Sequence, residues 1–219
     1  VHPDNAYAQR VEHEFGKTEI WYVLDAADDA TLIYGFNKKI SSEEFRKAIE
    51  ENTLMDVLNV VKVKKGDLFF IEAGTVHAIG KGALIAEIQQ NSNSTYRVYD
   101  YGRVGKDGKP RELHIDKAVD VSVTEPAKYD IKPFGEAKEI DGGVSQLLTE
   151  CDLFTVNHYD VKTKIELEAD ETSFNHILVV DGNGKINDKP LKKGSSFFIP
   201  ANFGKYEISG ECEIIVTNI

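Results

Sequence analysis

Residues 64–80 read KKGDLFFIEAGTVHAIG. The run GDLFFIEA is short, rich in aromatic and β-branched residues and opened by glycine, which marks a strand. The strand ends, a turn at Gly74 reverses the chain, and His77 opens a second strand with its imidazole facing inward. The same frame returns at 192–208 as KKGSSFFIPANFGKYEI, so K-K-G-x-x-F-F-I-x-A occurs twice at an offset of 128 residues. A looser pair, TEIWYVLDAADDA (18–30) and NHILVVDGNGK (175–185), precedes the two copies in the same order. Two ordered matches indicate two copies of one β-fold.

Working outward, EIWYVLD, ATLIYGF, ALIAEIQQ, FTVNHYDV, KIELE, FNHILVVD, SSFFIPA and CEIIVTN carry the same strand signature. DAADDA, KKGD, GKG, VGKDGKP and DGNGK between or beside them are turn chemistry. Many short strands at near-regular spacing predict an all-β chain, a sandwich or barrel. Helix is predicted in one main place, SSEEFRKAIEENTLMDVLNVV (41–61). Ser41 stands three residues before Glu44, a capping-box spacing, and Phe45, Ala48 and Ile49 fall on one face. Thr53 with Asp56 caps a second short helix, and IDKAVD (115–120) suggests a third. The boundary between copies is placed near 122, ahead of the segment TEPAKYDIKPFGEAKEIDGG (124–143), giving domains 1–122 and 123–219.

The chain of 219 residues has a net charge of −11, which argues against nucleic acid or an anionic membrane as partner. An anionic small substrate would need a local positive pocket. Cys151 and Cys212 are few and form no C-x-x-C pair, so they read as reduced thiols. No apolar run approaches the ~18 residues of a membrane span. These features point to a cytoplasmic protein, an inference weakened by a chain that opens VHPD without Met.

Gly66, Glu72, Gly74 and His77 make the pattern G-x5-E-x-G-x-x-H. It resembles the second conserved cupin motif, with Glu72 where proline is usual. An inward imidazole at the start of a strand can bind a metal, although a lone histidine is more often a hydrogen-bonded core residue. His2 and Glu19 supply two more groups of ligand type. Two imidazoles and a carboxylate make a three-ligand set with room for a fourth ligand and a substrate or water.

VHPD (1–4), GKTEIWY (16–22), EAGTVHAIGKG (72–82) and QQNSNSTYRVYDYGR (89–103) stand in one order along the chain. Together they resemble type I mannose-6-phosphate isomerase in its short bacterial form. The resemblance implies two cupin-like (jelly-roll) β-domains with a small helical insertion in the first. It implies one Zn²⁺ per chain on His2, Glu19 and His77, with a glutamine ligand expected immediately before Val1, in an N-terminal segment that this chain lacks. It implies interconversion of mannose 6-phosphate and fructose 6-phosphate, with a sugar phosphate as partner, no nucleic acid and no membrane. By the same resemblance Arg97 is the catalytic arginine and Lys17 an active-site lysine. Lys17 precedes Glu19 by two and shares its strand face. Glu87, on the strand after His77, is a weaker candidate for a polar group near the substrate.

Alternation through TYRVYDYGR puts Tyr96, Val98 and Asp100 on one face, with Arg97, Tyr99 and Tyr101 on the other. Arg103, Lys106, Lys109 and Arg111 form a basic stretch that can attract a phosphate or be a solvated loop. His13 reads as a solvated loop residue, and His114 as a structural residue ahead of a short helix. In the second copy Lys205 replaces His77 and Pro200 replaces Glu72; no carboxylate–histidine set assembles around His176, and His158 with His176 make a poor alternative metal pair. Two other readings remain open: a binding module without turnover, and an Fe(II) oxygenase at a two-His, one-carboxylate site. The TYRVYDYGR motif argues against both. Oligomeric state is not legible.

Overall fold

All four residues of the LFFI run are buried, and the run is a strand. The computed structural model describes residues 1–105 and 108–219, so Lys106 of the basic stretch lies outside the described residues. The chain divides into two units, Val1–Ile131 and Lys132–Ile219.

The first unit opens with helix α1 (Asn5–Val11), whose first turn is capped by Asp4 accepting from Tyr7 N–H at 2.7 Å. This helix was not expected, because seven residues give too little periodicity to see. Strands β1 (Glu19–Ala26) and β2 (Thr31–Phe36) follow, then helix α2 (Ser42–Glu50) with the expected capping box. The predicted helical stretch 41–61 is shorter than expected. A single 3-10 turn, Leu54–Asp56, replaces the second helix, and Leu58–Lys62 is strand β3, paired with β2. Asn52 at φ 57 ends the helix, and the β-branched Val60 and Val61 gain a neighbouring strand there. Strands β4 (Leu68–Ile71), β5 (His77–Ile79) and β6 (Ala83–Gln89) and helix α3 (Ile115–Val121) complete the unit. Two antiparallel three-stranded sheets result, β4-β1-β6 and β3-β2-β5.

The division lies downstream of residue 122. Residues 124–131 return to the first unit. Ile40 N–H donates to Thr124 O at 2.9 Å, Pro126 bridges to Gly35, and Ala127 and Ile131 pack on the core containing Trp21 and Phe69.

The second unit contains β7 (Lys138–Ile140), β8 (Gly143–Cys151), β9 (Phe154–Val161), β10 (Lys164–Ala169), β11 (Asn175–Ile186), β12 (Lys189–Lys192), β13 (Ser196–Ile199) and β14 (Gly204–Asn218). Their order is β12-β11-β14-β9-β8-β7, with β10 on β14 and β13 on β11. DGNGK, expected as a turn, lies inside β11. Its glycines serve close strand approach: a Cβ at Gly182 would meet Glu211 O at 2.2 Å, and one at Gly184 would meet Ser209 O at 2.0 Å. The repeat is visible in the backbone. The LFFI and SFFI strands start and end at matching positions, Gly66 and Gly194 share positive φ, and so do Gly74 and Asn202. No helix among the described residues is long and apolar enough to cross a membrane.

Candidate metal centre

Strand alternation puts Glu19 and Trp21 on one face of β1, opposite Gln89 and Glu87 of β6. The Gly74 turn delivers His77 at the first position of β5. The opening segment is fixed against both. Gly74 N–H donates to His2 O at 2.8 Å, Lys17 N–H to Pro3 O at 3.0 Å, and Tyr96 N–H to Val1 O at 2.9 Å. All four sequence motifs therefore meet through backbone hydrogen bonds. Gly16 allows the close approach, since a Cβ there would lie 2.4 Å from Asn5 N.

His2, Glu19 and His77 converge, the one group of His, Cys, Asp or Glu among the described residues close enough to hold a metal ion. Each imidazole Nδ1 lies 2.8 Å from a backbone carbonyl, Ser94 O for His2 and Thr75 O for His77. A carbonyl only accepts, so each Nδ1 carries the proton and each Nε2 presents a lone pair. Those two Nε2 atoms stand 3.0 Å apart. Glu19 lies 3.7 Å from His2 Nε2 and 3.3 Å from His77 Nε2. Neither buried oxygen of Glu19 completes a hydrogen bond, although Lys17 Nζ stands 2.8 Å from Oε2. Two lone pairs and the buried Glu19 carboxylate, paired with Lys17 through Oε2, face one point where a cation would relieve their mutual repulsion. The donors thus fit a divalent metal.

Burial pushes the Glu19 carboxyl up, but His2, His77 and Lys17 outweigh it and hold it down to about 2. Burial lowers the His77 imidazole well below its ordinary value. Both groups are therefore in ligand form at neutral pH, an anion and a neutral ring.

Lys17 bridges two carboxylates, reaching Glu87 Oε1 at 3.2 Å as well as Glu19. Glu87, with about a third of its side chain exposed (35%), also accepts from Trp21 Nε1 at 3.2 Å. Trp21 packs edge-on against His77 with ring centres 5.0 Å apart, so it touches an imidazole of the candidate site and the Glu87 carboxylate together. The period-two spacing of Trp21 from Glu19 is the sequence signal for this contact.

The segment around Arg97 is not a sheet strand, yet the expected alternation holds. Tyr96, Val98 and Asp100 are buried, while Arg97, Tyr99 and Tyr101 are not. His77, Thr95, Arg97, Tyr99 and Tyr101 line one cleft of about 160 Å³. The basic stretch is partly committed elsewhere. Arg103 pairs with Asp100 Oδ1 at 2.9 Å, and Arg111 pairs with both Asp100 oxygens, Nε at 2.7 Å from Oδ2. In the second unit His176 hydrogen-bonds Ser196 Oγ at 2.8 Å, and Lys205 pairs with Glu166 at 2.6 Å.

The sequence profile of the mannose-6-phosphate isomerase cupin domain matches residues 144–219. Mannose-6-phosphate isomerase ManA of Bacillus subtilis is 38% identical, over all of this chain and 70% of its own length. The mannose-6-phosphate isomerase of Streptococcus mutans is 36% identical, over all of this chain and 69% of its own. The crystal structure of the mannose 6-phosphate isomerase from Bacillus subtilis superposes with a TM-score of 0.90 at 38% identity, covering 100% of this chain and 70% of that one. The all-β cupin fold expected from the sequence is the fold found.

Proposed function

Because the chain belongs to the mannose-6-phosphate isomerase family, we propose that it is a zinc-dependent aldose–ketose isomerase interconverting mannose 6-phosphate and fructose 6-phosphate. The observation that carries this reading is the pair of facing Nε2 lone pairs, 3.0 Å apart beside the buried Glu19 carboxylate. Two imidazoles and a carboxylate suit zinc, with one Zn²⁺ per chain. Bound there, the ion would supply Lewis acidity toward the sugar oxygens.

Moving the carbonyl between C1 and C2 takes a proton from one carbon and returns one to the other. Glu87, Lys17 or a metal-bound water could carry that proton; we favour Glu87, a carboxylate partly open to solvent and steadied by Lys17 and Trp21. Lys17 adds positive charge between Glu19 and Glu87. Arg97, lining the same cleft as His77, offers a planar fork of donors to negative charge developing on the sugar oxygens or to the phosphate. The two-domain reading, a metal-bearing first cupin domain and a degenerate second, is supported by the matched strands and turns and by Lys205 in the place of His77. Two unpaired cysteines, Cys151 and Cys212, support a cytoplasmic location.

A coupled assay of fructose 6-phosphate formation tests the reading. Arg97→Ala is expected to lower kcat/KM by roughly a hundredfold or more, the scale of a lost charge-stabilising donor. Metal bound without turnover in the wild type would return the site to the binding-module reading.

A further inference from the structure

Arg97 lies in an extended stretch that no strand pairs, so its peptide group has no sheet ladder to hold it. One residue takes the ladder's place. Arg97 N–H donates to His114 Nδ1 at 3.1 Å, and His114 N–H donates back to Arg97 O at 2.8 Å. Two residues earlier, Glu112 O accepts from the guanidinium Nη1 at 3.0 Å. The run 112–114 therefore grips Arg97 by its amide, its carbonyl and its side chain.

The backbone N–H of Arg97 can only donate, so His114 must present a lone pair at Nδ1 and carry its proton on Nε2. His114 also sits at the N-terminal edge of α3, where Ala118 N–H donates to its carbonyl at 2.9 Å. On either side of Arg97, Tyr96 and Val98 are buried in the same core that Leu113 and Ile115 pack against. With the flanking side chains buried and the Arg97 carbonyl held by the His114 N–H, His114 Nδ1 is the side-chain acceptor that fixes the Arg97 amide.

We infer that His114 is a positioning residue for Arg97, its Nδ1 substituting for a strand partner and fixing the direction in which the guanidinium enters the cleft. The inference rests on the role proposed for Arg97 above. It predicts a dependence on where residue 114 carries an acceptor. Asparagine places its amide oxygen close to the position of Nδ1; glutamine carries it one bond further, near Nε2.

The test is steady-state isomerase kinetics with zinc content measured on each variant. His114→Asn is expected to keep kcat within about threefold of wild type. His114→Gln and His114→Leu should lose about 10- to 100-fold in kcat, the scale of a misplaced catalytic group, with metal content unchanged. In an Arg97→Ala background His114→Gln should add no further loss, because its effect runs through Arg97. If Arg97→Ala is impaired but His114→Gln matches wild type, the His114 inference is overturned alone. So too if His114→Asn and His114→Gln fall equally, or if the losses add in the double variant. Should His114→Leu fail to fold, the Asn and Gln pair decides. A wild type without turnover, or Arg97→Ala at full rate, would overturn the isomerase reading and this inference with it.

Discussion

At the scale of single residues, Trp21 joins the two halves of the site. Its ring lies edge-on to His77 and its indole N–H holds Glu87. It is also the chain's one tryptophan, so its emission reports on the site alone. Adding zinc to metal-free protein is expected to change that emission with a saturable one-site dependence, and His77→Ala is expected to abolish both the change and the bound metal. A zinc content in His77→Ala equal to wild type, by elemental analysis, would remove His77 from the ligand set. The convergence of His2, Glu19 and His77 was legible because metal binding restricts residue type and the motifs fix spacing. The contacts of Trp21 and His114 were not, since each is a hydrogen bond to a partner 66 or 17 residues away, which no local pattern encodes.

At the scale of elements, turns decide which side chains arrive together. Gly74 sits at φ +89, and a Cβ there would lie 2.8 Å from Val121 O. Gly74→Ala should therefore cost about 1–3 kcal/mol of stability, read as a lower urea midpoint; an unchanged midpoint would show that the turn relaxes freely. The Asp100 carboxylate holds the loop after Arg97 by pairing with Arg111 and Arg103, and Arg111 first among them lowers its pKa to about 2 from an ordinary 3.8. A lowered folded-state pKa means the contribution is full above the unfolded value and is lost as pH falls through the folded one. The stability gap between wild type and Asp100→Asn should be constant near neutrality and close as pH falls below about 4 toward 2. A gap that does not vary with pH would mean that the carboxylate charge is not what stabilises the loop. Short strands bounded by turn residues were readable here. DGNGK and 58–62 were misread for one reason, that tertiary pairing outweighed local preference: glycine in β11 makes room for a neighbour's backbone, and Leu58–Lys62 finds β2.

At the scale of the whole molecule, the repeat at an offset of 128 residues was readable because the same strand and the same left-handed turn positions recur in both units. The dividing point was not, since residues 124–131 carry linker composition but pack on the first unit's core. Residues 132–219 contain their own core, from Val161 and Ile165 to Ile214 and Val216. Expressed alone, this segment is expected to unfold cooperatively and to bind no zinc; stoichiometric zinc in it would contradict its reading as the degenerate copy.

The most direct test of the central claim is conversion of mannose 6-phosphate to fructose 6-phosphate, measured before and after chelation and again after adding zinc back. The account predicts turnover that the chelator removes and zinc restores, in wild type but not in His77→Ala. Turnover that persists in chelator with no metal left on the protein would contradict it.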